Sequence, residues 1–105
     1  MGFIYEAKES VILPRVDVRI TDKEAGEEAL GMARMGHNII WIEANTLKDY
    51  CPDAIRHIVF HELCHAVGST PHMSTCKLMG PTIGNKKGSH CTKEEAHKAL
   101  RKHLG

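Results

Sequence analysis

Between positions 16 and 21 the apolar residues Val16, Val18 and Ile20 alternate with Asp17, Arg19 and Thr21, the period of a strand with one buried face. Val16, Val18 and Ile20 form that inner face. Asn38 to Ala44 (NIIWIEA) carries three isoleucines and a tryptophan and predicts a second strand, covered on most of both faces. Between the two, Gly26, Gly31 and Gly36 punctuate the chain. Asp22 to Gly36 therefore predicts a connection, with room for a short helix at Glu27 to Met35. Residues 3–12 combine a helical centre with strand-like ends and fit either element.

The strongest helix follows. Pro52 suits the first helical position, Asp53 the positive end of the dipole, and Ala54 to Val67 has no breaker, while Gly68 suits a left-handed stop. Ile55, Ile58, Val59, Phe60, Leu63, Ala66 and Val67 spread nearly all round it, the signature of a buried central helix. Ser69 to Cys91 carries Pro71, Gly80, Pro81, Gly84 and Gly88. A loop of that length in a compact domain needs a function or an anchor. Thr92 and Glu95 have the spacing of a capping box, opening a last helix to about His103 with Ala96, Leu100 and Leu104 on one side.

No repeat, linker or composition shift divides the 105 residues, which predict a single domain, 1–105. The longest apolar run is Ile39 to Ile42, far below the roughly 18 residues that span a bilayer. Glu6, Lys8 and Glu9 stand where a signal peptide would be apolar. A chain with no membrane span and a cytoplasmic location is the expectation. A formal net charge of +1 gives no field for nucleic acid or an anionic membrane. The compositional anomaly is eight His and four Cys, which points to metal or redox chemistry. Cys51, Cys64, Cys76 and Cys91 contain no Cys-x-x-Cys pair, so the common zinc knuckle is not written here.

His61-Glu62-Leu63-Cys64-His65 lies inside the central helix. Two histidines four apart share a face, so both imidazoles reach one cation, as tetrahedral zinc requires. Glu62, beside the first ligand, is placed to take a proton from activated water without ligating. A catalytic zinc wants three protein ligands and an open position, and His72 is the natural third. His57, one turn before His61, reads as a surface or supporting residue; His97 and His103 read as surface residues.

These residues resemble the metzincin clan of zinc metallopeptidases, most of all its matrixin and archaemetzincin branches, whose motif is His-Glu-x-x-His-x-x-Gly-x-x-His and then a methionine turn. His61, Glu62, His65 and Gly68 fall in register, while the third ligand position holds Pro71 and the histidine comes one residue later, at His72. Lys77-Leu78-Met79-Gly80-Pro81 looks like the methionine turn, with Met79 as its methionine. The resemblance implies an α+β, zincin-like fold: a small mixed sheet packed on a central active-site helix, with a C-terminal helix after the methionine-turn loop. It also implies that Asn38 to Ala44 is the substrate-side edge strand.

The leading expectation is a zinc-dependent endopeptidase, a monomer, with His61, His65 and His72 as ligands and Glu62 as general base. An extended peptide would lie antiparallel to Asn38 to Ala44, with side-chain preference set beside Met79 to Ile83. The rival expectation is a non-catalytic, zinc-stabilised binding module, favoured if a cysteine such as Cys76 closes the fourth position. Around Cys76, His90 and Cys91 a disulfide, idle thiols and a second, structural metal ion all remain open.

Overall fold

The computed structural model describes residues 2–21, 31–80 and 90–105. Its elements run α1 (Gly2–Ala7), β1 (Asp17–Thr21), β2 (Gly31–Ala33), β3 (Ile39–Glu43), α2 (Ala44–Asp49), α3 (Pro52–Gly68) and α4 (Lys93–Leu104). The architecture is α+β, with a three-stranded mixed sheet in the order β1-β3-β2.

β1 runs parallel to β3, with Val18 beside Ile40 and Ile20 beside Ile42. β2 runs antiparallel to β3, with Met32 beside Trp41. Both sides of β3 are thus paired, so Asn38 to Ala44 supplies the middle strand. This corrects the expectation that it forms the substrate-side edge: among the described residues the outer strands are β1 and β2. The Ile-rich composition fits the central position, with Ile40 and Ile42 fully buried.

β2 falls in the segment read as a connection. The turn from β2 into β3 uses Gly36 at φ 78° and Asn38 at φ 52°, residues that tolerate the left-handed region. The possible helix at Glu27 to Met35 gives way to β2 from Gly31 onward, and its first residues lie outside those described. Ile83 also lies outside them.

α3 packs chiefly over β2 and β3 and against α1 and α4. Ile58, Val59, Phe60, Leu63 and Cys64 of α3 close the core with Ile40, Ile42, Leu78, Met79 and Leu100. Because α3 does not cover β1, Val16 and Val18 are only half-buried and Ile20 stays 51% exposed. Ile20 therefore does not complete the inner face the alternation predicts.

Two caps match the sequence closely and one does not. Pro52 opens α3, and the Thr92–Glu95 capping box on α4 is complete, with Thr92 N–H donating to Glu95 Oε1 at 2.9 Å and Glu95 N–H to Thr92 Oγ1 at 3.2 Å. The left-handed residue ending α3 is Ser69, at φ 51°, rather than Gly68. Gly68 has a different duty: a Cβ there would sit 2.6 Å from Leu104 Cδ2 and 3.0 Å from Thr70 Oγ1. Its bare backbone lets the end of α4 close on α3.

Candidate metal centre

One turn of α3 separates His61 from His65, and the chain beyond the helix brings His72 back to them. Ser69 reverses the chain and Thr70 N–H donates to Cys64 O at 3.0 Å. The Thr70 carbonyl then accepts from His65 Nδ1 at 2.6 Å. Farther on, Met73 N–H donates to Met79 O at 2.9 Å, closing a loop that presents Leu78 O to His61 Nδ1 at 2.7 Å. A carbonyl only accepts, so Nδ1 carries the proton on both rings and each Nε2 is left with a free lone pair.

Those lone pairs converge. His61 Nε2 lies 3.1 Å from His65 Nε2 and 3.2 Å from His72 Nε2, and one ligand atom from each ring falls within 4.8 Å of the others. Unprotonated nitrogens at such a distance repel one another unless a proton or cation stands between them. An ion about 2.0–2.1 Å from each of two nitrogens, at the tetrahedral angle, holds them roughly 3.3 Å apart. The three histidines could therefore hold one metal ion.

Their protonation suits the task. Burial, and then the charges of His65 and His72, push His61 down to about 4 against the opposing pull of the Leu78 carbonyl. Burial likewise lowers His65. Both imidazoles are neutral near pH 7, the form that ligates. His61 is buried, His65 half-buried and His72 exposed, so the group opens to solvent on the His72 side.

Glu62 is also buried, at 5% exposure, and desolvation raises its carboxyl from 4.5 to about 7. It lies against β2, where a Cβ on Gly31 would meet Glu62 Oε2 at 3.1 Å. Met79, the methionine of the expected turn, is fully buried directly after Leu78. The sequence names the three histidines that the structure brings together, whereas the Thr70 and Leu78 carbonyls that orient His65 and His61 are backbone atoms with no sequence signal.

Several of the remaining histidines and cysteines have partners elsewhere. Cys76 Sγ lies 3.3 Å from His103 Nε2, Cys51 Sγ lies 3.9 Å from His90 Nε2, and Cys91 N–H donates to His57 Nδ1 at 2.8 Å. All four thiols are free. Burial pushes Cys64 up to about 12 and Cys91 up to about 11, keeping both protonated. The described residues include every His and Cys of the chain, and among them only His61, His65 and His72 form a group of three or more. Cys76, His90 and Cys91 are not brought together as a second metal site or a disulfide, because His103 takes the first and Cys51 the second.

His97 and His103 differ from their surface reading, and His57 from the surface half of its own. His57 is buried at 1% and serves as an acceptor for the backbone. His97 is buried between α1 and α4, with Nε2 at 2.7 Å from Glu6 Oε2, Nδ1 at 2.5 Å from Ser10 Oγ and its ring edge-on to Phe60. His103, on Cys76, is half-buried. No helix among the described residues is long and apolar enough to cross a membrane.

The chain matches no described protein family and no curated protein, so its resemblance to the metzincins rests on the residues themselves.

Proposed function

We propose that this chain is a zinc-dependent endopeptidase of metzincin-like design. The observation that carries the reading is the three-histidine group, two of its rings anchored through Nδ1 to backbone carbonyls, with a buried carboxylic acid one residue from the first ligand. Zinc fits the donor set: three imidazoles leave a fourth position open, the arrangement of catalytic rather than structural sites. When bound, zinc supplies an acidified water and a Lewis acid for the scissile carbonyl.

The chain's own residues do the rest. Glu62, with its carboxyl near pH 7, is matched to accept a proton from the attacking water and return it to the leaving amine. The strand that would offer an extended substrate its main chain is β2, which stands at one end of the order β1-β3-β2 and carries Gly31 beside Glu62. This replaces the middle strand β3 in that role.

A cysteine in the fourth position would favour the binding-module reading, and Cys76 instead faces His103. Elemental mass spectrometry together with peptide cleavage tests the proposal. The expected result is about one zinc per chain in both wild type and Glu62→Ala, with cleavage only in wild type. Failure to take up zinc, or full turnover by Glu62→Ala, removes it.

A further inference from the structure

β1 is an outer strand, and among the described residues only its β3 side is paired. Asp17 N–H donates to Asn38 O at 2.9 Å. In a parallel ladder each residue turns both backbone groups to one neighbour, so Asp17, Arg19 and Thr21 address β3. Val16, Val18 and Ile20 direct theirs to the open side. Such an edge is a template for another strand.

The flank of this edge is partly apolar. Ile20 is 51% and Tyr5 73% exposed. A hollow of about 440 Å³ lies between α1 and β1, lined by Ile4, Tyr5, Leu13, Val16 and Val18 together with Pro14 and the cations Lys8 and Arg15. On the other face of the strand Asp17 and Arg19 form a loose ion pair at 3.5 Å, with both side chains more than half exposed.

We propose that β1 pairs antiparallel with β1 of a second copy of this chain, centred on Val18, joining two three-stranded sheets into one of six strands. The sequence is complementary to itself in this register. Asp17 falls opposite the second copy's Arg19 and Arg19 opposite its Asp17, while Val18 meets Val18 with outward N–H and C=O groups facing each other. Val16 falls opposite Ile20, which gives the exposed isoleucine an apolar neighbour beside the hollow. Sliding the strands by two residues sets Arg19 against Arg19 in one direction and Asp17 against Asp17 in the other. A slip of one residue turns every side chain to the wrong face. The contact is isologous and closes on itself as a two-fold dimer. It uses the edge away from β2 and Glu62, so it stands independently of the metal reading.

Sedimentation equilibrium over a concentration series decides it. Wild type is expected to approach twice the 11.7 kDa of one chain, whereas Asp17→Arg and Arg19→Asp, each alone, stay at single-chain mass. An equimolar mixture of the two variants regains the doubled mass, because one supplies two arginines against the other's two aspartates, and the double variant dimerises by itself. Circular dichroism matching wild type checks that each variant is folded. A single-chain mass for wild type at every concentration overturns the proposal, as does a dimer that both reversals leave intact or a mixture that fails to associate.

Discussion

Gly31 and Glu62 meet where the outer strand β2 crosses the central helix: a Cβ on Gly31 would lie 3.1 Å from Oε2 and 3.2 Å from Cγ of Glu62. The base of the proposed reaction is therefore held against a position with no side chain. Ile58 Cγ2, at 3.2 Å from the same point, leaves no slack behind it. Gly31→Ala is expected to displace the carboxylate by a few tenths of an ångström and lower kcat about tenfold, or about 1.4 kcal/mol. Gly31→Val should lower it further, with zinc content unchanged in both variants. Steady-state cleavage of a peptide beside metal analysis is the check, and unaltered turnover in Gly31→Val would show that Glu62 does not act from this position.

Zinc should be worth a large part of the stability of so small a domain. Binding only the folded chain at a thousand times the dissociation constant contributes roughly 4 kcal/mol. A melting shift of at least about 15 °C follows for a domain near this size. Thermal unfolding with zinc and with a chelator should show that difference in wild type. His72→Ala, which removes one of the three proposed ligands, should show only a small fraction of it. Equal shifts in the two proteins would exclude His72 from the site.

His57 stands one turn from His61 and its ring stacks parallel to it, with centroids 6.5 Å apart, yet its Nδ1 is occupied by the Cys91 amide. Replacing it with Phe keeps much of the volume and leaves a buried N–H without an acceptor, a cost of about 1–3 kcal/mol. The expected outcome of His57→Phe is a lower denaturation midpoint with one zinc per chain retained. Loss of zinc would make His57 a ligand.

The local features of this chain were legible because their signals are local. The breaker-free run behind Pro52, the Thr92–Glu95 box and the spacing of His61 and His65 each refer to residues within one or two turns. Strand order is not such a signal. The composition of Asn38 to Ala44 described a covered strand, and its central place depends on β1 and β2 arriving on either side. The resemblance to matrixin-like domains pointed instead to an edge. The burial of His97 was hidden for the same reason, since its partner Glu6 is 91 positions away. α2 carries little sequence signal, because only Thr46 of its six residues is buried and its cap is Glu43, a residue type with little preference for that place.

Glu6 ties together distant parts of the chain. Its Oε2 accepts from Arg56 Nε at 2.6 Å and from His97 Nε2 at 2.7 Å, and Arg56 also reaches Asp53 at 2.5 Å. Burial opposes the charge on Glu6, but the hydrogen bonds from Arg56 and His97 outweigh it and hold the carboxyl below its ordinary 4.5. Glu6→Gln removes the charge but leaves Arg56 paired with Asp53, at a cost of about 1.5 kcal/mol for the weakened charge-assisted bonds. It should therefore lower the melting temperature on the order of 5–10 °C at neutral pH. The loss depends on pH in a definite direction. As pH falls below 4.5 the unfolded chain takes up the proton before the folded one does, so the stabilisation is whole above 4.5 and is lost as pH drops through the lower folded value. Melting curves of wild type and Glu6→Gln should thus lie far apart at pH 7 and converge in acid. A gap that persists unchanged below the folded value would mean that Glu6 contributes through shape alone, and α1 would then be held to α3 and α4 by packing rather than by charge.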